Sequence, residues 1–443
     1  MRIQLSEHFT YRKLLRFTLP SIVMMVFTSI YSVVDGLFVS NYVGKTPFAA
    51  INLLMPLLMI LGALGFMVGT GGSALVAKTM GEGDKPLANR YFSLLVYVTL
   101  ILGSLIALLG QWLLRPAAAA MGATGEMLED CVTYGRITLA SMPCFMLQNV
   151  FQTFFVTAEK PKLGLAFTVA AGLTNVALDA LLVAGLGWGL AGAALATSLS
   201  EIIGGLTPVF YFARKNDSLL RLGKTRFYGR ALLKTCWNGS SELMSSIASS
   251  VVTLLYNYQL LRLAGDSGVA AFGAVMYVSF FFAAIFIGYS SGSAPIVSYH
   301  YGAGHPDELK SLLRKSLTLI ALTGAAMTAL AAVLASPLAR LFTGYDEALC
   351  QLTTRGMLIY AFSFLLCGFS IYGSSFFTAL NDGGVSAAIS FLRTLVFETA
   401  SVLILPALLG LDGVWLAALT AELCAVILTT LFLLGKRKKY RYA

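Results

Sequence analysis

Long apolar stretches separated by short polar connections recur along the whole chain. Stretches such as Phe17–Val34 and Leu94–Leu109 approach the roughly 18–20 apolar residues with which a helix crosses a bilayer. Glycines, prolines and charge clusters mark the breaks between them. The pattern predicts an all-α integral membrane protein with twelve transmembrane helices, at 14–40, 47–78, 90–114, 127–158, 163–186, 188–213, 230–264, 268–299, 309–335, 346–380, 384–410 and 412–435.

One segment of the first half returns about 220 residues later, which indicates an internal repeat. Gly69–Asp84 and Gly288–His305 share a Ser-Ala pair followed by a Gly-x-Gly loop, and Gly189–Ser198 resembles Gly413–Glu422. Two six-helix units of the same orientation predict two pseudo-symmetric lobes around a central cavity. The predicted divisions are an N-lobe with helices 1–6 at 1–213, a cytoplasmic linker at 214–229, a C-lobe with helices 7–12 at 230–435 and a basic cytoplasmic tail at 436–443.

Composition and charge support a multi-pass membrane protein, which we expect in the cell inner (cytoplasmic) membrane. Charged residues make up 12% of the chain and the mean hydropathy is +0.79, whereas soluble domains carry about 25% charged residues. With both termini in the cytoplasm, 25 of the 31 Lys and Arg residues flank the inner helix ends and 6 the outer ends. This asymmetry follows the positive-inside rule. The +10 net charge therefore faces membrane lipids, and we expect no nucleic-acid partner.

Acidic residues inside the spans are candidate functional groups, because an ionised side chain is costly in hydrocarbon. Asp35 on helix 1 and Asp179 on helix 5 lie at similar depth in the first lobe. Asn175 and Tyr31 each precede one of these acids by four residues and share its helical face. We predict a cation-coupling site for a proton or Na⁺ at Asp35, Asn175 and Asp179. The alternative is that each Asp hydrogen-bonds a neighbouring helix and has only a structural role.

A second set of residues is predicted to face the substrate cavity. Flexible methionines suit ligands of varied shape, and polar residues within spans contact either a cavity or a neighbouring helix. Glu201 and Glu422 hold equivalent places in the two lobes, where a structural role is the alternative, and Glu242 is expected on a solvated flank. The predicted cavity residues are Tyr31, Met55, Met59, Gln148, Gln152, Glu201 and Glu398.

These motifs together resemble the multidrug and toxic compound extrusion (MATE) family over essentially the whole chain. The matching pieces are Val34-Asp35-Gly36, the Gly-x-Gly loops after helices 2 and 8, the Asn175–Asp179 face and the Gly189–Thr197 run. Details look closest to the bacterial MepA-like and DinF-like branches. The resemblance implies a V-shaped pair of bundles and cation-driven export of organic cations, with Asp35, Asn175 and Asp179 at the family's N-lobe cation-site positions. The sodium-coupled NorM-type branch is less similar, because its C-lobe acids are not found here.

The sequence therefore predicts a secondary active antiporter that exports organic cations or drugs by rocking-bundle alternating access. Inward flow of protons or Na⁺ would drive export, and we expect a monomer without an organic cofactor or a bound metal other than possible sodium. The alternative is a flippase for lipids or lipid-linked oligosaccharides. No enzymatic activity is expected, because His8, His300 and His305 lie away from the span centres. The position 221 residues after Asp35 is Tyr256, and helix 10 carries no buried acid, so the coupling chemistry is expected to be concentrated in the first lobe.

Overall fold

The computed structural model describes residues 3–344 and 346–442, so that Ala443 of the predicted tail lies outside the described residues. These residues form fourteen α-helices and two short π-helical segments. In chain order the elements are α1 Tyr11–Tyr42, α2 Lys45–Gly81, α3 Lys85–Ala120, α4 Gly125–Ala140, α5 Met142–Thr157, α6 Pro161–Leu178, π1 Asp179–Gly185, α7 Gly189–Ala213, α8 Gly229–Gly302, α9 Pro306–Thr343, α10 Glu347–Ala361, α11 Phe364–Ala379, α12 Gly383–Phe391, π2 Leu392–Glu398, α13 Thr399–Leu409 and α14 Leu411–Tyr440.

The helices account for the twelve predicted membrane spans. By length and composition, up to 11 spans are present among the described residues when each of two bent helix pairs is taken as one span. The 74-residue α8 is too long for one crossing, since a straight helix of that length would measure about 110 Å. It breaks at Gly265, whose φ of 60° and ψ of −153° are not helical and are accessible mainly to glycine. Division at Gly265 gives the twelfth span.

Two spans predicted as single helices are bent instead, one in each half. The α4–α5 pair turns by 53° next to Ser141, and the α10–α11 pair turns by 50° next to Ser363. The first bend lies beside Pro143, whose missing N–H and ring disfavour a continuous helix. Two other spans contain the segments π1 and π2. Bends and π-turns disturb the regular ladder of backbone hydrogen bonds, and π-turns are frequent at functional sites.

Local sequence signals explain where several helices begin and end. The Asp84 side chain accepts a hydrogen bond from Leu87 N at 3.0 Å and so caps α3, which satisfies one of the free N–H groups of the first turn. Pro306 occupies the first turn of α9, followed by the acidic Asp307 and Glu308, as the helix dipole favours. Helices α2 and α8 end at Gly81 and Gly302, as the repeated Gly-x-Gly loops predict.

Glycines let the two halves of the chain approach at backbone distance. A methyl group at Gly71 of α2 would meet the Thr235 carbonyl oxygen of α8, and one at Gly239 would meet the Met67 carbonyl oxygen. Near the ends of the same helices, the glycines that close the repeated motif make a reciprocal contact with backbone groups, in which Gly81 faces Tyr299 O and Gly302 faces Lys78 O. The repeat therefore supplies the contact between the halves as well as two helix ends.

The segment before α1 adds polar contacts to the same end of the molecule. Leu5 N donates to Glu159 Oε1 of the first half at 2.7 Å. Phe9 N donates to Glu308 Oε1 of the second half at 2.9 Å, and Lys315 Nζ donates to Phe9 O at 2.5 Å. Leu5 and Phe9 are themselves fully buried. The segment thus ties both halves together where they already touch.

The connection between the halves, residues 214–228, is not helical and packs on α3 of the first half. Arg221 N donates to Asn89 Oδ1 at 2.7 Å, and Gly223 N donates to Ser93 Oγ at 3.0 Å. Any relative movement of the halves that leaves these bonds intact must therefore bend the chain after Gly223.

A Gly239→Ala substitution is expected to lower the stability of this arrangement by about 1–3 kcal/mol, the usual cost of overpacking. The added methyl group would press on the Met67 carbonyl of α2. The matched control is Gly273→Ala in the same helix, where a methyl group meets nothing within 4 Å. Thermal unfolding in detergent should show a lower midpoint for G239A only. Equal midpoints for the two variants would contradict the close contact.

Candidate functional site

Asp35, Asn175 and Asp179 lie together in the first half, as the sequence predicts. Helix α1 packs along α6 and π1, and the Asp35 carboxyl group lies close enough to Asp179 and Asn175 to interact with both. Asp179 is fully buried, and Asn175 is nearly so. The structure therefore gathers three oxygen-bearing side chains from two spans into one enclosed site.

The change from α-helix to π-helix fixes the position of Asp179. Asn175 and Asp179 are four residues apart, so a regular turn places both side chains on the face toward α1. The Asp179 N–H donates to the carbonyl groups of Asn175 and Val176, and the wider π-turn starts at Asp179 itself. The acid thus stands at the end of the regular helix, beside a segment of irregular backbone.

The oxygens of this site face one another more than they face donors. Asp35 Oδ1, Asn175 Oδ1 and both carboxyl oxygens of Asp179 are buried without a hydrogen-bond donor among the described residues. A buried polar atom without a partner costs about 1–3 kcal/mol, and more when it is charged. Two facing carboxyl groups are stabilised by a shared proton or by a cation, and hard cations prefer oxygen ligands of this kind. The donor set fits a proton or Na⁺.

Two further polar residues adjoin the acids and were not singled out in the sequence. Tyr134 of α4 is almost completely buried and lies near enough to Asp35 and Glu201 to respond to their charge. Thr197 of α7 lies beside the Tyr134 hydroxyl. Thr197 belongs to the repeated segment after Gly189, and this repeat is a sequence signal that could have identified it. The sequence contains no such signal for Tyr134, because a tyrosine in an apolar span is usually part of the core.

Glu201 is held at the bend between α4 and α5. Ser141 Oγ donates to Glu201 Oε2 at 2.6 Å and lies 3.1 Å from Ser198 Oγ. Ser141 is the residue at which the span turns. The carboxylate therefore joins α7 to this bend, an arrangement that agrees with the structural alternative for Glu201.

The second half contains its own cluster of buried charge. Arg393 Nε and Nη2 both donate to Glu422 Oε1, at 2.9 and 2.6 Å. The Tyr256 hydroxyl donates to Glu398 Oε1 at 3.3 Å. Tyr256 occupies the place that corresponds to Asp35 in the repeat, so a tyrosine–glutamate pair stands where the first half has its paired acids. Buried acids are therefore present in both halves, and the expectation that the coupling chemistry is concentrated in the first stays a prediction.

A cavity of about 350 Å³ lies between the halves and is lined mainly by the second half. The first half contributes Thr70, Ser73 and Thr153. Glu242 also lines the cavity, so the expected solvated flank is wrong for this residue. The other ionisable acids and bases among the described lining residues are Arg393, Glu398 and Glu422.

Of the seven residues predicted to face the substrate, Glu398 alone lines this cavity. Gln148 and Gln152 are buried around a much smaller gap between α5, α6 and α7. Tyr31 packs against Phe27 and Met55 against the apolar core of the first half. Met59 is 53% exposed, and Glu201 binds Ser141. The first-half residues thus lie mostly within or around their own bundle.

Comparison with known families places the duplication beyond doubt. The MatE family profile matches residues 20–181 and again residues 243–402. The two matches fall one in each half and begin about 220 residues apart, the spacing of the repeated Gly-x-Gly segments. Together they cover well over half of the chain.

The chain is similar to multidrug export proteins of staphylococci over almost its whole length. The multidrug export protein MepA of Staphylococcus haemolyticus is 25% identical over 424 residues, which cover 95% of this chain and 93% of that protein. MepA of Staphylococcus saprophyticus is 23% identical over 418 residues, with coverages of 94% and 92%. The resemblance to the MepA-like branch is confirmed.

Solved structures confirm the two-lobed arrangement of twelve spans. A multidrug resistance MATE family transporter of the MOP superfamily, in an outward-facing conformation, matches with a TM-score of 0.93 and 23% identity over 98% of both chains. A MOP superfamily transporter from Pyrococcus furiosus, described as having a binding pocket of reverse polarity, matches with a TM-score of 0.89 and 23% identity over 98% of this chain and 96% of that one. Given the fold and the double match of the family profile, the chain belongs to the MatE family.

Proposed function

We propose that this protein is a secondary antiporter that exports organic cations across the cytoplasmic membrane in exchange for protons or sodium ions. Membership of the MatE family and similarity to multidrug export proteins over 95% of the chain support a transport role. The single observation that carries the coupling is the group of Asp35, Asn175 and Asp179, in which four buried oxygens lack a hydrogen-bond partner among the described residues.

The charge of the cavity favours a positively charged cargo. Its described lining includes three glutamates and one arginine. Arg393 is already paired with Glu422, so its charge is largely compensated. A flippase for anionic headgroups would need uncompensated Arg or Lys facing the headgroup. The lining therefore supports export of organic cations over the flippase alternative.

Ion binding changes the forces between α1 and the rest of the first half. Two carboxylates on facing helices repel each other in a medium of low dielectric constant, and a bound proton or cation removes that repulsion. Occupancy of the site would then alter how α1 packs on α6 and π1. Because α1 also packs against α8 of the second half, the change reaches the contact between the lobes.

Transport requires that the two lobes rock about their shared end. In this proposal the backbone contacts at Gly71, Gly239, Gly81 and Gly302 close the cytoplasmic side. They must separate for the cavity to face the cytoplasm. The chain after Gly223 would act as the hinge, and the basic residues at this end favour a cytoplasmic location for both termini.

Asp35→Asn and Asp179→Asn are each expected to reduce ion-driven export by about 5–150-fold, the usual range of coupling energies. Each amide removes a charge that binds the ion. The control is Asp266→Asn, an exposed acid next to the break in α8. Efflux of a fluorescent organic cation from loaded cells reports the effect. Unchanged efflux from D35N or D179N at normal expression would rule out the proposed coupling site.

An inward gradient of protons or Na⁺, imposed alone on proteoliposomes, should drive uphill export of tetraphenylphosphonium by the wild-type protein. The same gradient should have no effect on D179N, because its site cannot exchange the ion. Separate proton and sodium gradients identify the coupling ion. Export that needs neither gradient, or that D179N supports equally well, would contradict the antiport mechanism.

A further inference from the structure

The cavity and the candidate ion site belong to different halves of the molecule. The paired acids Asp35 and Asp179 lie between α1 and α6, and neither lines the cavity between the lobes. The acids that do line the cavity, Glu242, Glu398 and Glu422, all come from the second half. The group that attracts the cargo is therefore to be sought among these three.

Glu398 and Glu422 belong to the same cluster in the second half, together with Arg393 and Tyr256. Glu398 is the acid of this cluster that has no ion-pair partner in the described part of the chain. Its hydrogen bond comes from the neutral hydroxyl of Tyr256, at 3.3 Å. Glu422, by contrast, accepts two bonds from Arg393. Because the guanidinium group bonds Glu422, the Glu398 carboxyl group has no ion-pair partner among the described residues and remains available to a cation in the cavity.

Aromatic rings surround this carboxylate. Tyr256 stacks on Phe272 with ring centroids 4.7 Å apart, and Tyr360, which also lines the cavity, lies close enough to Glu398 to respond to its charge. The Ser279 hydroxyl donates to the Tyr360 hydroxyl at 3.3 Å and holds that ring in place. A carboxylate beside electron-rich rings attracts large organic cations through charge and cation–π contacts together.

We propose that Glu398, Tyr256 and Tyr360 form the binding site for the cationic head group of the exported compound. The ligand class is a large, weakly hydrated organic cation such as a quaternary ammonium or phosphonium ion. This assignment rests on the proposed export function and locates its cargo in the second half. The ion site in the first half is separate from it.

The separation determines how ion and cargo are coupled. A cargo bound at Glu398 does not displace an ion bound at Asp35 and Asp179 by direct contact. The two sites communicate through the lobe contact between α1, α2 and α8, so each ligand favours the arrangement to which it binds more tightly. In the wild-type protein the coupling ion should then change the equilibrium affinity for the cargo, whereas in an ion-site variant that affinity should no longer depend on the ion.

Glu398→Gln is expected to weaken the binding of radiolabelled tetraphenylphosphonium to the purified protein by about tenfold or more. Glu398→Asp, which keeps the charge, should restore most of the affinity, and Tyr256→Phe should cause a smaller loss because its ring remains. The matched control is Glu347→Gln, an exposed glutamate at the start of α10. Equilibrium dialysis in detergent, without an ion gradient, gives the dissociation constants.

A neutral ligand of similar shape measures how much of the binding depends on the positive charge. Triphenylphosphine oxide should bind the wild-type protein more weakly than tetraphenylphosphonium, and E398Q should lose this preference for the cation. If E398Q is unstable, the comparison is made between E398D, which should keep the preference for the cation, and Y256F, which should lose part of it. Wild-type affinity in a folded E398Q protein would overturn the assignment, as would equal binding of both ligands by the wild type.

The variant Asp179→Asn distinguishes a failure of the cargo-site proposal from a failure of the proposed antiport function. Tetraphenylphosphonium binding that persists in D179N but no longer responds to the ion, together with weaker binding by E398Q, supports a cargo site in the second half. Loss of binding in D179N with normal binding in E398Q would place the cargo in the first half and refute the assignment. If ion gradients fail to drive export while E398Q still weakens binding, the antiport function fails and the binding site stands.

Discussion

The contact of glycine against backbone between α2 and α8 is the constraint on which the rest of the structure depends. The main chains of the two halves approach closely at Gly71, Gly239, Gly81 and Gly302. A methyl group at any of these positions would collide with the backbone of the opposite helix. Such packing holds two helical bundles together in a membrane, where the hydrophobic effect contributes little to helix association. The cavity occupies the space next to this contact. Because this contact consists of van der Waals interactions, the two helices can separate without exposing a buried charge.

The duplicated scaffold carries different chemistry in its two copies. In the first half, facing acids and an amide leave oxygens without donors, an arrangement suited to a proton or a small cation. In the second half, the place that corresponds to Asp35 holds Tyr256, and the nearby Glu398 opens to the cavity among aromatic rings. Arg393 neutralises Glu422, whereas Glu398 has no ion-pair partner among the described residues and can attract cargo. The same backbone thus provides an ion site in one copy and a site for a bulky cation in the other.

Much of the fold could be predicted from the sequence, because a membrane span must be long, apolar and helical. The span limits, the repeat and the shared face of Asn175 and Asp179 follow from local spacing, and Pro143 is a local signal for the bend at Ser141. The bend at Ser363, the π-turns and the approach of Asp35 to Asp179 depend on tertiary packing. The bond from Ser141 to Glu201 and the pairing of Arg393 with Glu422 join residues far apart in sequence. The lining of the cavity depends on the relative placement of whole bundles, which local sequence does not encode. For this reason the sequence predicts Gln148 and Gln152 in the cavity, whereas in the structure they lie within the first bundle.

The distance between the lobes as a function of ion binding tests the central claim most directly. Spin labels at Leu186 and Leu408, exposed residues near the ends of corresponding spans, would report this distance by pulsed electron paramagnetic resonance in a variant without the native cysteines. The account predicts that the coupling ion shifts the distance distribution of the otherwise wild-type protein, whereas the distribution of the same labels in Asp179→Asn does not respond. An ion-dependent shift of equal size in the D179N protein would contradict the claim that the buried acids of the first half control the arrangement of the lobes.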